Sequence, residues 1–252
     1  MLSKTIVHIP HSRTTIPPVE RERFFLSNEE LNEELMLMTD RYTEELFDLG
    51  NDTQHVTFPV SRLVVDPERF RDDADEPMAS RGMGAIYTRT SHGTPLRAGP
   101  NSAERNRLLA AYYDPHHAAL SRAVTSAIDT HGKCVVIDAH SFPSVALPCD
   151  LDQSPNRPDI CIGTDAFHTP PDLEVLAVSL FEGAGWSVVV NRPYAGAIVP
   201  IERYGLDRRV AALMVEVNRH LYMDEATGEK LRSFDACRDR LQRCLHALMV
   251  HA

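Results

Sequence analysis

The sequence predicts an α/β protein built on a mostly parallel sheet, and three observations carry that expectation. Six short runs rich in Val and Ile, at 5–9, 55–60, 133–139, 159–163, 186–191 and 213–218, are bounded by Pro, Gly, Asn or Asp. Several are apolar almost throughout, as in CVVID and SVVV, which suits parallel strands buried on both faces. Helical patterns separate them, and no repeat or linker interrupts the alternation. The chain is therefore read as one domain, 1–252.

Taken in order, the first run, IVHIPHS, closes on His8 and His11. Ser27 and Glu30 then form a capping box, and Leu31, Leu35, Met38, Tyr42, Leu46 and Leu49 recur at helical spacing until Gly50-Asn51 stops the helix. A second helical stretch covers 101–131, where Asp114 as a cap and Pro115 at the first helical position are expected to divide it in two. The segment 67–100, rich in Arg, Asp, Gly and Pro, reads as a long irregular connection, and such connections often carry function. Helices over 171–182 and from about 225 to 250 complete the pattern.

Composition narrows the partners. With 36 acidic and 26 basic residues the net charge is −10, which argues against nucleic acid or an anionic membrane. A small anionic substrate needs only a local arginine or two. No run of about 18 apolar residues occurs, so no membrane span is expected, and the N-terminus lacks a secretory pattern. A cytoplasmic location follows as the expectation. Five cysteines, at 134, 149, 161, 237 and 244, form no CxxC pair and read as reduced thiols, with Cys134 and Cys161 filling the core. The acidic surface and the last helix are compatible with a homodimer.

In such sheets ligands gather where strands end and loops begin. The first strand ends in His8 and His11, the third in Asp138 and His140, and the last, LMVEVNRH, carries Glu216 inside an apolar run. Met214 and Asn218 share the face of Glu216. A carboxylate buried there needs a cation, and an arginine or a metal would serve. Asp40 lies off the main apolar stripe of its helix, either as a buried acid or reaching solvent at the helix edge beside Arg41. Two histidines and a carboxylate are the usual protein ligands of a hydrolytic zinc, with a nearby glutamate to take a proton from water. His11, Asp40, His140 and Glu216 would supply that set.

HIPHS, LMTDRYTEELF, SRLVVDPER, YYDPHHAAL, DAHSFP, PDICIGTD, NRPYAGAIVP and VEVNRHLYMDE occur in this order. Together they resemble the N-formylglutamate amidohydrolase family over residues 6 to about 225. The resemblance implies a three-layer fold with a mixed central sheet flanked by helices, as in zinc-dependent exopeptidases of the phosphorylase/hydrolase-like kind. It also implies hydrolysis of an N-acyl amino acid at a single zinc. Position by position, the histidine of PHSG falls on His11, the aspartate of TDxYT on Asp40, the histidine of DAHS on His140, and the glutamate of VEVN, the catalytic acid–base, on Glu216. His8 has no counterpart and is expected to stand behind the ligands with Asp138 and Asn218, although it remains an alternative to His11.

Arginines suit a substrate carboxylate because the guanidinium can donate two parallel hydrogen bonds. Arg62 and Arg192 are the first candidates, Arg69 and Arg89 the next, with Tyr194 and His117 lining the pocket. Each arginine has a plainer reading as a partner of the acids at 66–76, and His117 as a core residue. Two departures from the family pattern stand out: Arg13 replaces the PHSG glycine, which puts a cation near the metal position, and Ala197 replaces a second glycine. Imidazole and carboxylate ligands would also accept manganese, cobalt or iron. A zinc peptidase, an N-acetylmuramoyl-alanine amidase, or a non-catalytic binding protein on the same scaffold are the alternative readings. Serine hydrolysis and nucleotide binding lack their GxSxG, P-loop and dinucleotide signatures.

Overall fold

The six predicted strands join one sheet. In the computed structural model, which describes residues 4–251, they are β1 (Thr5–Ile9), β2 (Gln54–Thr57), β3 (Cys134–Phe142), β4 (Ile160–Gly163), β5 (Val188–Val190) and β6 (Val210–Asn218). Residues 1–3 and 252, the ends of the expected domain, lie outside the described residues. The order is β2-β1-β3-β6-β4-β5, parallel throughout except where β4 runs against β6. The mostly parallel mixed sheet is as expected, and its strand alternation sorts the core into two layers.

Val135, Ile137 and Ala139 of β3 face one way, onto α3 (Thr43–Leu46), α6 (Pro171–Gly183) and α7 (Phe234–His251). Cys134 and Val136 face the other way, where Leu120, Val124 and Ala127 of α5 (Asp114–His131) cover them. His8, Asp138, His140 and Glu216 share the parity of the α5 side. They lie toward the carboxyl ends of their strands, so one face and one edge of the sheet collect the polar residues. Among the described residues, no helix is long and apolar enough to cross a membrane.

Four local expectations are corrected. The helix predicted to run to Leu49 breaks: α2 (Asn28–Met38) ends at an extended Thr39, and Tyr42 turns left-handed at φ 68° before α3. The carbonyl of Leu37, which a continuing helix would bond to the amide of Arg41, instead accepts from Arg219 at 2.6 Å. The amide of Asp40 donates to the carbonyl of His11 at 3.0 Å, so Asp40 sits in the break and not on a helix face. The apolar spacing survives because Met38 and Leu46 pack into two different core clusters.

The second correction is at Asp114. The chain remains helical from α4 (Ser102–Leu108) into α5, with a π-turn at Leu109–Tyr113. That wider turn accommodates the missing amide hydrogen of Pro115 without a break. Asp114 makes no cap and pairs with Arg71 at 3.0 Å. Third, α7 begins at Phe234, not near 225, because Asp224 accepts the amides of Ala226 and Thr227 and Gly228 closes a turn at φ 73°. Fourth, β3 reaches Phe142, so His140 and Ser141 lie within the strand. A short helix, α1 (Pro18–Arg21), was unforeseen.

Candidate metal centre

Parallel pairing of β3 with β6 sets His140 beside Glu216, and pairing of β1 with β3 sets His8 beside Asp138. His11 follows β1, and the α2–α3 break delivers Asp40 to it. Nδ1 of His140 lies 3.2 Å and Nδ1 of His11 3.6 Å from the same oxygen, Oδ2 of Asp40. Tetrahedral ligands at the usual zinc distances sit about 3.3–3.4 Å apart, so these three donors have the spacing the ion needs.

The other nitrogens are committed elsewhere. Nε2 of His11 donates to Asp66 at 2.8 Å, and Nε2 of His140 to Asp138 at 3.1 Å. Carboxylates behind ligating imidazoles fix the tautomer and raise the basicity of the free nitrogen. Nδ1 of His11 is buried without a hydrogen-bond partner. A cation would satisfy it, so the residues present fit a single divalent ion. Asp66→Asn is expected to weaken metal binding about 10–100-fold, read by titration against a chelator of known affinity.

Charge balance is built around the cluster. Arg219 is only 3% exposed and donates to Oδ1 of Asp40 at 3.0 Å, leaving Oδ2 for the ligand position. Burial works against an ionised Asp40, yet His11, His140 and Arg219 hold its carboxyl below the usual range. Glu216 has the opposite outcome. Burial, with Asp40 and Asp138 adding to it against the pull of His140 and Arg219, pushes its carboxyl up to about 8. Its Oε2 is buried and has no partner. That is the condition of a group prepared to exchange a proton.

Asp138 accepts from both His140 and Nδ1 of His8, the latter at 2.8 Å. Glu68 stands 3.1 Å from the same nitrogen of His8. Burial opposes charge on His8, but Asp138 and Glu68 keep its pKa up at about 9. His8, Glu68 and Asp138 also gather three donors, although His8 and Asp138 already satisfy one another.

A cavity of about 410 Å³ opens over this cluster, and Arg62, Arg69 and Tyr194 line it as expected contacts. Other expected contacts lie elsewhere. Arg192 is largely exposed and pairs with Asp152 at 3.0 Å. Arg89 is exposed on the surface and donates to the carbonyl of Gly93. His117 stacks on Tyr113 with ring centres 4.0 Å apart and bonds the carbonyl of Pro67. Asn218 spends its amide on the carbonyl of Pro158 at 2.9 Å, away from the ligands. Arg13 takes no positive φ and pairs with Glu44 at 2.7 Å on the surface, so the cation expected near the metal position turns outward.

Two residues of the cluster escaped the sequence reading. Asp66 ends the apolar run LVV, and the cost of burying it could have been weighed as for Glu216. Arg219 gave no signal, since an arginine after a strand usually reaches water.

A mixed, mostly parallel sheet thus gathers two imidazoles, the Asp40 carboxylate and the buried Glu216, whose Oε2 has no partner, into a cluster that could hold a metal ion, and fold and cluster together are those of an amidohydrolase-class protein. The chain belongs to the N-formylglutamate amidohydrolase family, whose sequence profile matches residues 3–223. It resembles the crystal structure of N-formylglutamate amidohydrolase from Ralstonia eutropha JMP134, with a TM-score of 0.86 and 24% identity over 99% of this chain and 94% of that one. A gene product of Agrobacterium tumefaciens aligns with a TM-score of 0.70 and 20% identity, over 98% of this chain and 92% of that one. No curated protein matches the sequence.

Proposed function

We propose that this amidohydrolase-family protein cleaves the amide of N-formyl-L-glutamate or a related N-acyl amino acid, with His11, Asp40 and His140 holding one divalent ion. The donor set suits zinc best, with manganese, cobalt or iron as substitutes. When bound, such an ion polarises a carbonyl and makes water a stronger acid. The chain's own residues do the rest. Glu216 takes the proton of the attacking water and returns it to the departing amine, so the carboxylic acid and the free amino acid leave. Asp66 and Asp138 keep both imidazoles in the ligating tautomer, and Arg219 holds Asp40 in place. Arg69, on the cavity wall, receives the substrate carboxylate.

The observation that carries this reading is the buried, partnerless Nδ1 of His11 facing Asp40 and His140. The test is elemental analysis of the purified protein alongside formate release from N-formyl amino acids. Near-stoichiometric metal is expected in the wild type and its loss in His11→Ala, His140→Ala and Asp40→Asn, with activity following the metal. Wild-type protein that holds no metal after reconstitution would sink the proposal.

A further inference from the structure

The cavity over Glu216 has two unlike walls, and their chemistry narrows the substrate beyond the general reading above, on which this inference rests. Three guanidiniums line it. Arg219 has all its nitrogens in use: Nη1 on the carbonyl of Leu37, Nη2 on Asp40 and Nε on the hydroxyl of Ser141. Arg62 has Nε and Nη2 on Asp66, at 3.2 and 2.8 Å. Arg69 differs. Its nearest carboxylate oxygens, from Asp66 and Glu76, are 3.6 and 3.7 Å away, and its Nε is buried with no hydrogen-bond partner. Arg62 is anchored to Asp66 through two nitrogens, whereas Arg69 has only the longer contacts, so Arg69 is the less committed guanidinium and the seat for a substrate carboxylate.

The second wall is apolar. Met38, Met78 and Met83 line the cavity with Leu37, Leu147 and Cys149. The three methionines are buried members of a core cluster against which the other three pack. Glu68 and Asp150 also line the cavity, Glu68 beside His8 at 3.1 Å and Asp150 paired with Arg157 at 2.6 Å, so neither adds a cation to this wall. A γ-carboxylate set against these apolar side chains would lose its water without gaining a hydrogen bond from them. An aliphatic or thioether side chain would bury its apolar area there and adapt to the flexible methionines.

We infer that this enzyme takes N-acyl amino acids with a single carboxylate and an apolar side chain, the carboxylate on Arg69 and the side chain against Met38, Met78 and Met83. N-formyl-L-methionine and N-formyl-L-leucine represent the class.

Two measurements test it. On the metal-loaded wild type, kcat/KM for N-formyl-L-methionine is expected to exceed that for N-formyl-L-glutamate at least tenfold, the scale on which one apolar group is discriminated. On metal-loaded Glu216→Gln, calorimetric Kd values are expected to show the same order, and this readout needs no turnover. Arg69→Ala should raise KM for both substrates about tenfold or more with kcat little changed, and Met83→Gln should narrow the ratio between them. Binding in the expected order without turnover supports the inference while overturning the hydrolytic reading. N-formyl-L-glutamate bound or cleaved as well as N-formyl-L-methionine, or neither ligand bound, overturns the inference.

Discussion

Glu216→Gln is expected to lower kcat by about 100- to 10,000-fold while metal content stays at the wild-type level. Glutamine keeps the shape of the side chain but cannot take a proton from water or return one to the amine. Glu216 is 6% exposed, and its Oε2 bonds nothing in the fold, so the neutral amide loses no partner there. Removing a carboxylate that burial already disfavours should leave stability equal or slightly higher. Steady-state kinetics, elemental analysis and thermal unfolding of the same preparation check all three statements. A variant with near wild-type turnover and full metal would remove Glu216 from the proposed chemistry.

Arg219→Leu should be the most damaging substitution for stability, at about 3–5 kcal/mol, because it strips the partner from a buried carboxylate. For a chain of this size that corresponds to a fall of roughly 10 °C or more in Tm. Arg219 joins Asp40, the carbonyl of Leu37 and Ser141, which belong to the end of α2, the break after it, and β3. Its loss therefore also frees the α2 terminus. Lysine at 219 retains the charge but cannot reach three directions with a planar fork, so Arg219→Lys should recover only part of the loss. Urea unfolding of the metal-free variants separates this effect from metal binding. Unchanged unfolding of Arg219→Leu would mean the cation is dispensable.

Much of the sheet was legible because the side-chain period of a strand is fixed at two. All six runs became strands, and the parity that buries Val135 and Ile137 on one face sends Asp138 and His140 to the other. Glu216 was legible for the same reason, as a carboxylate alternating with Val215 and Val217. Strand boundaries were less so: β3 gains Ser141 and Phe142 through pairing with β6, which local composition does not record.

What the sequence by itself determined is the alternation of strands and helices and the placement of His8, His11, Asp138, His140 and Glu216 within or beside strands, since both follow from local periodicity. What only the tertiary structure decided depends on partners far along the chain. Asp66 meets His11 across 55 residues, and Arg219 meets Asp40 across 179. The helix breaks at Thr39 because Arg219 takes the carbonyl of Leu37, a bond no propensity scale contains. The surroundings of the arginines were set likewise: Arg192 and Arg89 have partners outside the cavity, and Arg62 lines it while paired with Asp66. A guanidinium has the same charge everywhere in a sequence. Its function depends on which carboxylate or carbonyl the fold brings within hydrogen-bond reach, and that is a property of the assembled chain.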